Sequence, residues 1–262
     1  MARIGAVLID IDGVLTVSWK ALPGTVEAMH LLREASIPLM LLTNTTSRTR
    51  ASIAALLAEA GFPVTAGDIL TAPAATAAYL AEHCPGARCL LLNSGDIHED
   101  LRGITLVAPD GPDADVVVVG GAGPEFDYDS LNRAFGHLQR GARLVAMHHN
   151  LYWRTQGGLQ LDAGAFLTGL EQAAHVTAEV TGKPAKAFFA TALAHLGVDA
   201  TQALMVGDDI ETDVLAAQHH GLAGALVRTG KFLPETLRAA SGAPDHVLDS
   251  FADLPALLGL PT

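Results

Sequence analysis

Short uninterrupted apolar runs alternate along the chain with longer stretches whose apolar positions fall at helical spacing. The first run opens residues 4–16, Ile-Gly-Ala-Val-Leu-Ile-Asp-Ile-Asp-Gly-Val-Leu-Thr, and predicts a buried strand. Residues 25–34 follow with Val26, Met29, His30 and Leu32 on one helical face. A second apolar strand is predicted over 37–42. It runs into Thr43-Asn44-Thr45-Thr46-Ser47, a hydroxyl and amide stretch suited to capping a helix that extends to about residue 60. Strand, helix, strand, helix in that order predict a parallel βαβα unit.

The texture then changes. An Ala-rich helix is predicted over 73–82, strands over 88–92, 115–119 and 143–146, a short helix over 96–101 and a longer one over 128–139. Residues 148–162 read as loop and hairpin around Gly157-Gly158, closed by a helix over 163–174 and a short strand over 178–180. From residue 183 the first texture returns: helix 185–196, strand 203–206, helix 211–220, strand 223–227, then 234–239, a strand at 246–248 and a last helix. No repeat of fixed period is present.

Composition narrows the partners. The net charge is −12 in 262 residues, which opposes binding to nucleic acid or to an anionic membrane. Half the residues are hydrophobic, enough for a large core. The two cysteines, Cys84 and Cys89, have neither a second pair nor a histidine cluster beside them and read as packing thiols. Arg3 and Asp10 interrupt the opening, so no leader or membrane segment is predicted and a cytoplasmic location is the expectation.

Chemistry gathers at strand ends. Asp10 and Asp12 stand at the mouth of the first apolar strand. Asp12-Gly13 alone is a hairpin signal; a hairpin needs no second acid, and no clear partner strand follows at once. Two further strands end in Thr43-Asn44 and Asp208-Asp209, and Gly182-Lys183-Pro184 precedes a helix. In open parallel sheets ligands bind beyond the carboxyl ends of the strands, so these ends can converge. Two carboxylates about 4 Å apart repel by roughly 4 kcal/mol at an effective dielectric of 20. Asp10, Asp12 and Asp208 together therefore call for a cation, and few hard oxygen ligands with room for water suit Mg²⁺. Lys183, the Thr43 hydroxyl and amides of the next helix could hold a phosphate.

Asp10-Ile-Asp12-Gly-Val-Leu-Thr, Leu42-Thr43-Asn44, Gly-Lys183-Pro and Gly-Asp208-Asp209-Ile-Glu-Thr-Asp213 resemble the four ordered motifs of the haloacid dehalogenase superfamily. The middle section is similar to the α/β cap of its NagD-like members. Within these, Tyr152-Trp153-Arg154, Gly158-Leu159-Gln160-Leu161-Asp162 and Glu179-Val-Thr-Gly-Lys-Pro most resemble the phospholysine phosphohistidine inorganic pyrophosphate phosphatase-like branch. The resemblance implies an α/β, Rossmann-like parallel-sheet core over 1–72 and 181–262 and an inserted α/β cap over 73–180 that sets substrate specificity. It implies an Mg²⁺-dependent phosphatase acting on a small phosphorylated substrate, a monoester, pyrophosphate or a phosphoamino acid. Asp10 would be the nucleophile and Asp12 the general acid and base. Thr43, Asn44 and Lys183 would bind phosphate, and Asp10, Asp208 and the Asp12 carbonyl would hold the metal. Asp209 and Asp213 would support the metal's surroundings, against the alternative that Asp213 is an exposed helix acid. A homodimer through the cap is also implied.

Competing readings are weaker. Gly121-Ala122-Gly123-Pro124 lacks the third glycine of a dinucleotide fingerprint and reads as a turn. Gly182-Lys183-Pro184 lacks the Ser/Thr of a P-loop, and Asp10-Ile-Asp12-Gly13 lacks the third acid of an EF-hand loop. His219 and His220 read as surface residues at a helix end, whereas His148-His149-Asn150 replaces the Asn-Pro-Asp typical of NagD-like relatives and could contact substrate. Hydrolysis of C–halogen or C–P bonds, or a slowly turning phospho-acceptor, are the alternatives. Dehalogenation needs neither Asp12 nor the metal, and an acceptor would not need Asp12.

Overall fold

The computed structural model describes residues 4–155 and 158–261. It divides into two compact units: residues 1–43, 50–70 and 183–262 form the first, and residues 44–49 and 71–182 the second. Both are parallel α/β units.

In the first unit six strands lie in the order His246–Leu248, Ala223–Val227, Ala203–Gly207, Ala6–Asp10, Leu39–Thr43, Ile69–Thr71. Ala6–Asp10 pairs in parallel with Ala203–Gly207 on one side and with Leu39–Thr43 on the other, Ile9 opposite Val206 and Leu41. All five residues of each of these three strands are buried. That is why they read as continuous apolar runs instead of alternating ones. Helix Thr25–Glu34 inserts Ala28, Met29 and Leu32 into the same core as Val7, Ile9, Leu41, Val206 and Phe251. Each large side chain of this core contributes about 1.5–3 kcal/mol by leaving water.

The second unit is built on five parallel strands in the order Glu179–Val180, Arg143–Ala146, Val116–Val119, Arg88–Leu92, Thr105–Leu106. Its central strand is four valines. Val117 and Val119 enter one apolar cluster, with Ala134 and Leu138 of helix Tyr128–Gln139 and Leu167 of helix Ala163–Ala174. Val116 and Val118 enter another, with Leu80 of helix Ala72–His83. Asp127 caps Tyr128–Gln139 by accepting the Ser130 amide, as a short acid before a helix should. Tyr152–Thr155 and Gly158–Leu161 pair as a separate antiparallel hairpin. The turn assigned around Gly157 lies outside the described residues.

Several elements depart from the sequence reading. Residues 96–101 form successive turns, closed by bonds such as Asp100 N to Ile97 O (3.0 Å), between positive-φ Gly95 and Gly103; no helix forms there. The segment after Asp12 does contain a hairpin, Thr16–Val17 with Lys20–Ala21. It was hidden by a turn of Ser18 and Trp19, both at positive φ, where glycine or asparagine is the usual signal. The helix after the second strand starts at Arg50, so the 43–47 run does not cap it. Residues 44–49 are drawn into the second unit: the Asn93 side-chain amide donates to the Thr46 carbonyl at 3.0 Å, and Gly95 lies so close that a Cβ there would be 2.6 Å from Ser47 Cα. Ile69–Thr71 and Thr105–Leu106, too short to show a period, are edge strands. The predicted 211–220 helix begins as a π-helical turn, Ile210–Leu215, before Ala216–His219. Among the described residues no helix is long and apolar enough to cross a membrane.

Candidate functional site

Asp10 and Thr43 end neighbouring strands, and Asp208 follows the strand on the other side of Ala6–Asp10. Adjacency in the sheet therefore brings together residues some 200 positions apart in the chain. Asp10, Asp208 and Asp213 are all buried, at 7 %, 2 % and 2 % exposure, and one oxygen from each lies within 4.8 Å of the others. Lys183, 5 % exposed, places its Nζ 2.7 Å from Asp10 Oδ1 and 2.7 Å from Asp213 Oδ1. Thr43 is buried at its own strand end. Asn44, half-buried, begins the second unit, where a Cβ on Gly182 would be 2.7 Å from its Oδ1.

The π-helical turn explains how Asp213 gets inside. Asp209 accepts the amides of Glu211 and Thr212 at 3.1 Å, and its carbonyl accepts both the Asp213 and the Val214 amide. The widened turn projects Asp213 inward against Gly207, where a Cβ would lie 2.3 Å from Asp213 Cβ. The exposed-helix-acid reading of Asp213 is thereby overturned. Asp209 itself stays half-buried as the cap of this turn.

Two glycines make room for Asp208. A Cβ at Gly13 or at Gly230, both at positive φ, would sit 2.0 Å from Asp208 Oδ2. That oxygen accepts the Lys231 backbone amide at 2.7 Å, and the Thr229 hydroxyl donates to the Gly13 carbonyl. Thr229, Gly230 and Lys231 escaped the sequence reading. Their signal was present, because they follow the apolar strand Ala223–Val227, another strand end of the same sheet.

The electrostatics follow from three carboxylates facing one buried ammonium. Burial, then the charges of Asp10 and Asp213, pushes the Asp208 carboxyl well above the usual carboxylate range. Burial likewise raises Asp213 to about 6, with Lys183 opposing and Asp10 assisting. Lys183 is affected most by burial, which would lower it, yet Asp10 and Asp213 together hold its pKa above the ordinary lysine value. Asp12 is solvent-exposed as a residue, yet the surrounding protein partly desolvates its carboxyl. That desolvation raises its pKa against the pull of Lys231 and Lys183.

A hard divalent cation fits this arrangement. Asp208 Oδ1 is buried with no hydrogen-bond donor among the described residues, and the donor set is all carboxylate oxygen. The side chains that converge are Asp10, Asp208 and Asp213; the Asp12 side chain stands outside the group. His148 is buried, its Nε2 3.9 Å from Asp162, and His149 meets Glu171 at 3.2 Å, both within the second unit. His220 reaches the Pro184 carbonyl, and residues 123–126 form the expected turn. Cys84 and Cys89 are free thiols.

A sheet whose strand ends carry these acids beside a buried lysine defines a class found among known proteins. The model of the haloacid dehalogenase-like hydrolases matches residues 7–106, and a second, HAD-hydrolase-like model matches 180–254. The phospholysine phosphohistidine inorganic pyrophosphate phosphatase of Bos taurus is 34% identical over 98% of this chain and 95% of its own. Haloacid dehalogenase-like hydrolase domain-containing protein 2 of Homo sapiens is 36% identical over 94% of this chain and 92% of its own. Among solved structures, p-nitrophenyl phosphatase from Archaeoglobus fulgidus superposes with a TM-score of 0.90 at 28% identity over 97% and 99% of the two chains. NagD from E. coli does so with 0.86 at 28% over 96% and 98%. The chain belongs to the haloacid dehalogenase-like hydrolases, in their NagD-like subfamily.

Proposed function

We propose that this HAD-type phosphatase hydrolyses a small phosphorylated metabolite, a monoester, pyrophosphate or a phosphoamino acid, through an aspartyl-phosphate on Asp10 and with Mg²⁺. The observation that carries the reading is Asp10 itself. It is a buried carboxylate at a strand end, in contact with Lys183 and within 4.8 Å of Asp208 and Asp213, two residues from the exposed Asp12.

Asp10 attacks phosphorus while the bond to the leaving oxygen breaks, and Asp12 gives that oxygen its proton. Desolvation holds the Asp12 pKa above its ordinary value, the direction a proton donor needs. Asp12, now a carboxylate, takes a proton from water as the water attacks phosphorus. The Asp10–phosphorus bond breaks and orthophosphate leaves. Lys183, the Thr43 hydroxyl and Asn44 meet the charge on the phosphoryl oxygens, and Asp213 keeps Lys183 aimed at Asp10. Mg²⁺, held by Asp10, Asp208 and the Asp12 carbonyl with Asp213 in reach, would neutralise the carboxylates and the phosphoryl oxygens. Residues 71–182 supply substrate selectivity in this reading. The name of the Bos taurus relative supports pyrophosphate or phosphoamino acids among the candidates.

Asp10→Asn should abolish hydrolysis of p-nitrophenyl phosphate, and EDTA should suppress the wild type until Mg²⁺ is restored. Full activity of either would defeat the proposal. A panel of pyrophosphate, phosphohistidine, phospholysine, sugar phosphates and nucleotides would rank the substrates.

A further inference from the structure

Lys231 has no part in the steps above, yet among the described residues it is a second cation at the acid cluster, its backbone amide bonded to Asp208. Its side chain is about two-thirds exposed, unlike the enclosed Lys183, and its Nζ lies 3.8 Å from Asp209 Oδ2. Its position is built and not incidental. The Lys231 amide is bonded to Asp208, Gly230 packs against Gly13, and the Thr229 hydroxyl holds the Gly13 carbonyl. The loop that carries Lys231 is thus fastened both to an acid of the site and to the residue after Asp12. Burial of its stem would lower its pKa, and the carboxylates of Asp208, Asp213, Asp10 and Asp209 hold it charged.

The two lysines have different neighbours, Asp10 and Asp213 for Lys183 and Asp209 for Lys231. Lys183 is committed to Asp10, where the transferred phosphoryl group must sit. Lys231 follows Gly230, which packs against Gly13, the residue after Asp12, and Asp12 serves the leaving oxygen. Arg228, earlier in the same loop, is turned to Asp249 at 2.7 Å. In a chain of net charge −12, an anionic leaving group gains from a local cation at this point.

We propose that Lys231 is a specificity-determining residue that contacts the leaving group and favours one bearing its own negative charge, such as the second phosphoryl of pyrophosphate. The inference rests on the phosphatase reading for its orientation. A charge-assisted contact of this kind is worth about ten- to a hundredfold in discrimination.

The test compares wild type, Lys231→Gln and Lys231→Arg with Mg²⁺ present. Turnover is measured as kcat/KM for pyrophosphate and for p-nitrophenyl phosphate, whose leaving group carries no second phosphoryl. Lys231→Gln should lower the pyrophosphate to p-nitrophenyl phosphate ratio by about tenfold or more, mainly through KM, and Lys231→Arg should restore most of it. Equal losses on both substrates would assign Lys231 to the Asp208 and Asp209 surroundings and overturn the proposal, as would an unchanged ratio. Calorimetric titration with methylenediphosphonate and methylphosphonate reads the same preference without turnover. If wild type hydrolyses neither substrate, the phosphatase reading fails. The binding arm still decides on Lys231, because a preference for the diphosphonate that survives Lys231→Gln overturns it.

Discussion

Replacing Asp208 by asparagine should stabilise the metal-free protein, although it removes a carboxylate of the site. Asp208, Asp10 and Asp213 place oxygens within 4.8 Å of one another, and among the described residues Lys183 is the cation enclosed with them. At that separation and an effective dielectric of 20, each pair of charges repels by about 3.5 kcal/mol. The asparagine side chain would keep an oxygen to accept the Lys231 amide and fill the space between Gly13 and Gly230, so little else changes. In EDTA at pH 8, Asp208→Asn should therefore gain roughly 3 kcal/mol over wild type, about 6–12 °C in Tm for a chain of this size. Saturating Mg²⁺ reverses the comparison. Wild type should gain about 2.7 kcal/mol at a hundred times Kd, and the variant far less, having lost a ligand. The assay is thermal unfolding of both proteins across a Mg²⁺ titration. If wild type is as stable as the variant in EDTA and both respond equally to Mg²⁺, the acid cluster is not a cation site held against repulsion.

The same cluster sets a pH dependence in EDTA. Asp213 titrates at about 6 in the folded protein, above its ordinary 3.8, so its contribution is complete below about pH 4 and lost as pH rises through 6. The fully enclosed group should account for roughly 3 kcal/mol of lost stability by denaturant unfolding over that window, with Asp208 acting in the same direction. A rise in stability over this window would contradict the assignment. Lys183→Met should cost about 3–5 kcal/mol by denaturant midpoint, because Asp10 and Asp213 are left buried without their partner; a loss under about 1 kcal/mol would show that they are not so dependent. Gly230→Ala should weaken Mg²⁺ binding and destabilise the fold by at least about 1–3 kcal/mol, since its Cβ would lie 2.0 Å from Asp208 Oδ2 and 2.5 Å from Gly13 Cα at a positive φ. Calorimetric titration with Mg²⁺ and a melting curve check both parts.

Much of the architecture was legible because buried parallel strands must be apolar throughout. Residues 89–92, 144–146 and 223–227 carry that signature, and the strands fall at Arg88–Leu92, Arg143–Ala146 and Ala223–Val227, the two arginines marking where burial begins. Asp10, Thr43 and Asp208 were legible as chemistry for a related reason, since a polar or charged group at the end of an apolar strand has no packing explanation; Lys183 was legible from Gly182-Lys183-Pro184 ahead of a helix. The misread elements are those decided by partners distant in sequence or by turn geometry. Residues 96–101 have helical composition, but Gly95 and Gly103 break the chain into turns. The 43–47 stretch has the residues of a helix cap, but Asn93 and Gly95 engage it instead.

The sequence by itself determined the two parallel α/β textures, their order along the chain and the identity of the acids at the strand ends, because periodicity and burial energy are local properties of the chain. The tertiary structure alone decided which acids share an enclosure. Asp213 is inward because a π-helical turn widens beneath it. Asp12 keeps its side chain outside the cluster, and Lys231 joins it through a loop fastened to Asp208. No local pattern encodes these placements, since each depends on space that Gly13, Gly207 and Gly230 leave open for a side chain from elsewhere in the chain.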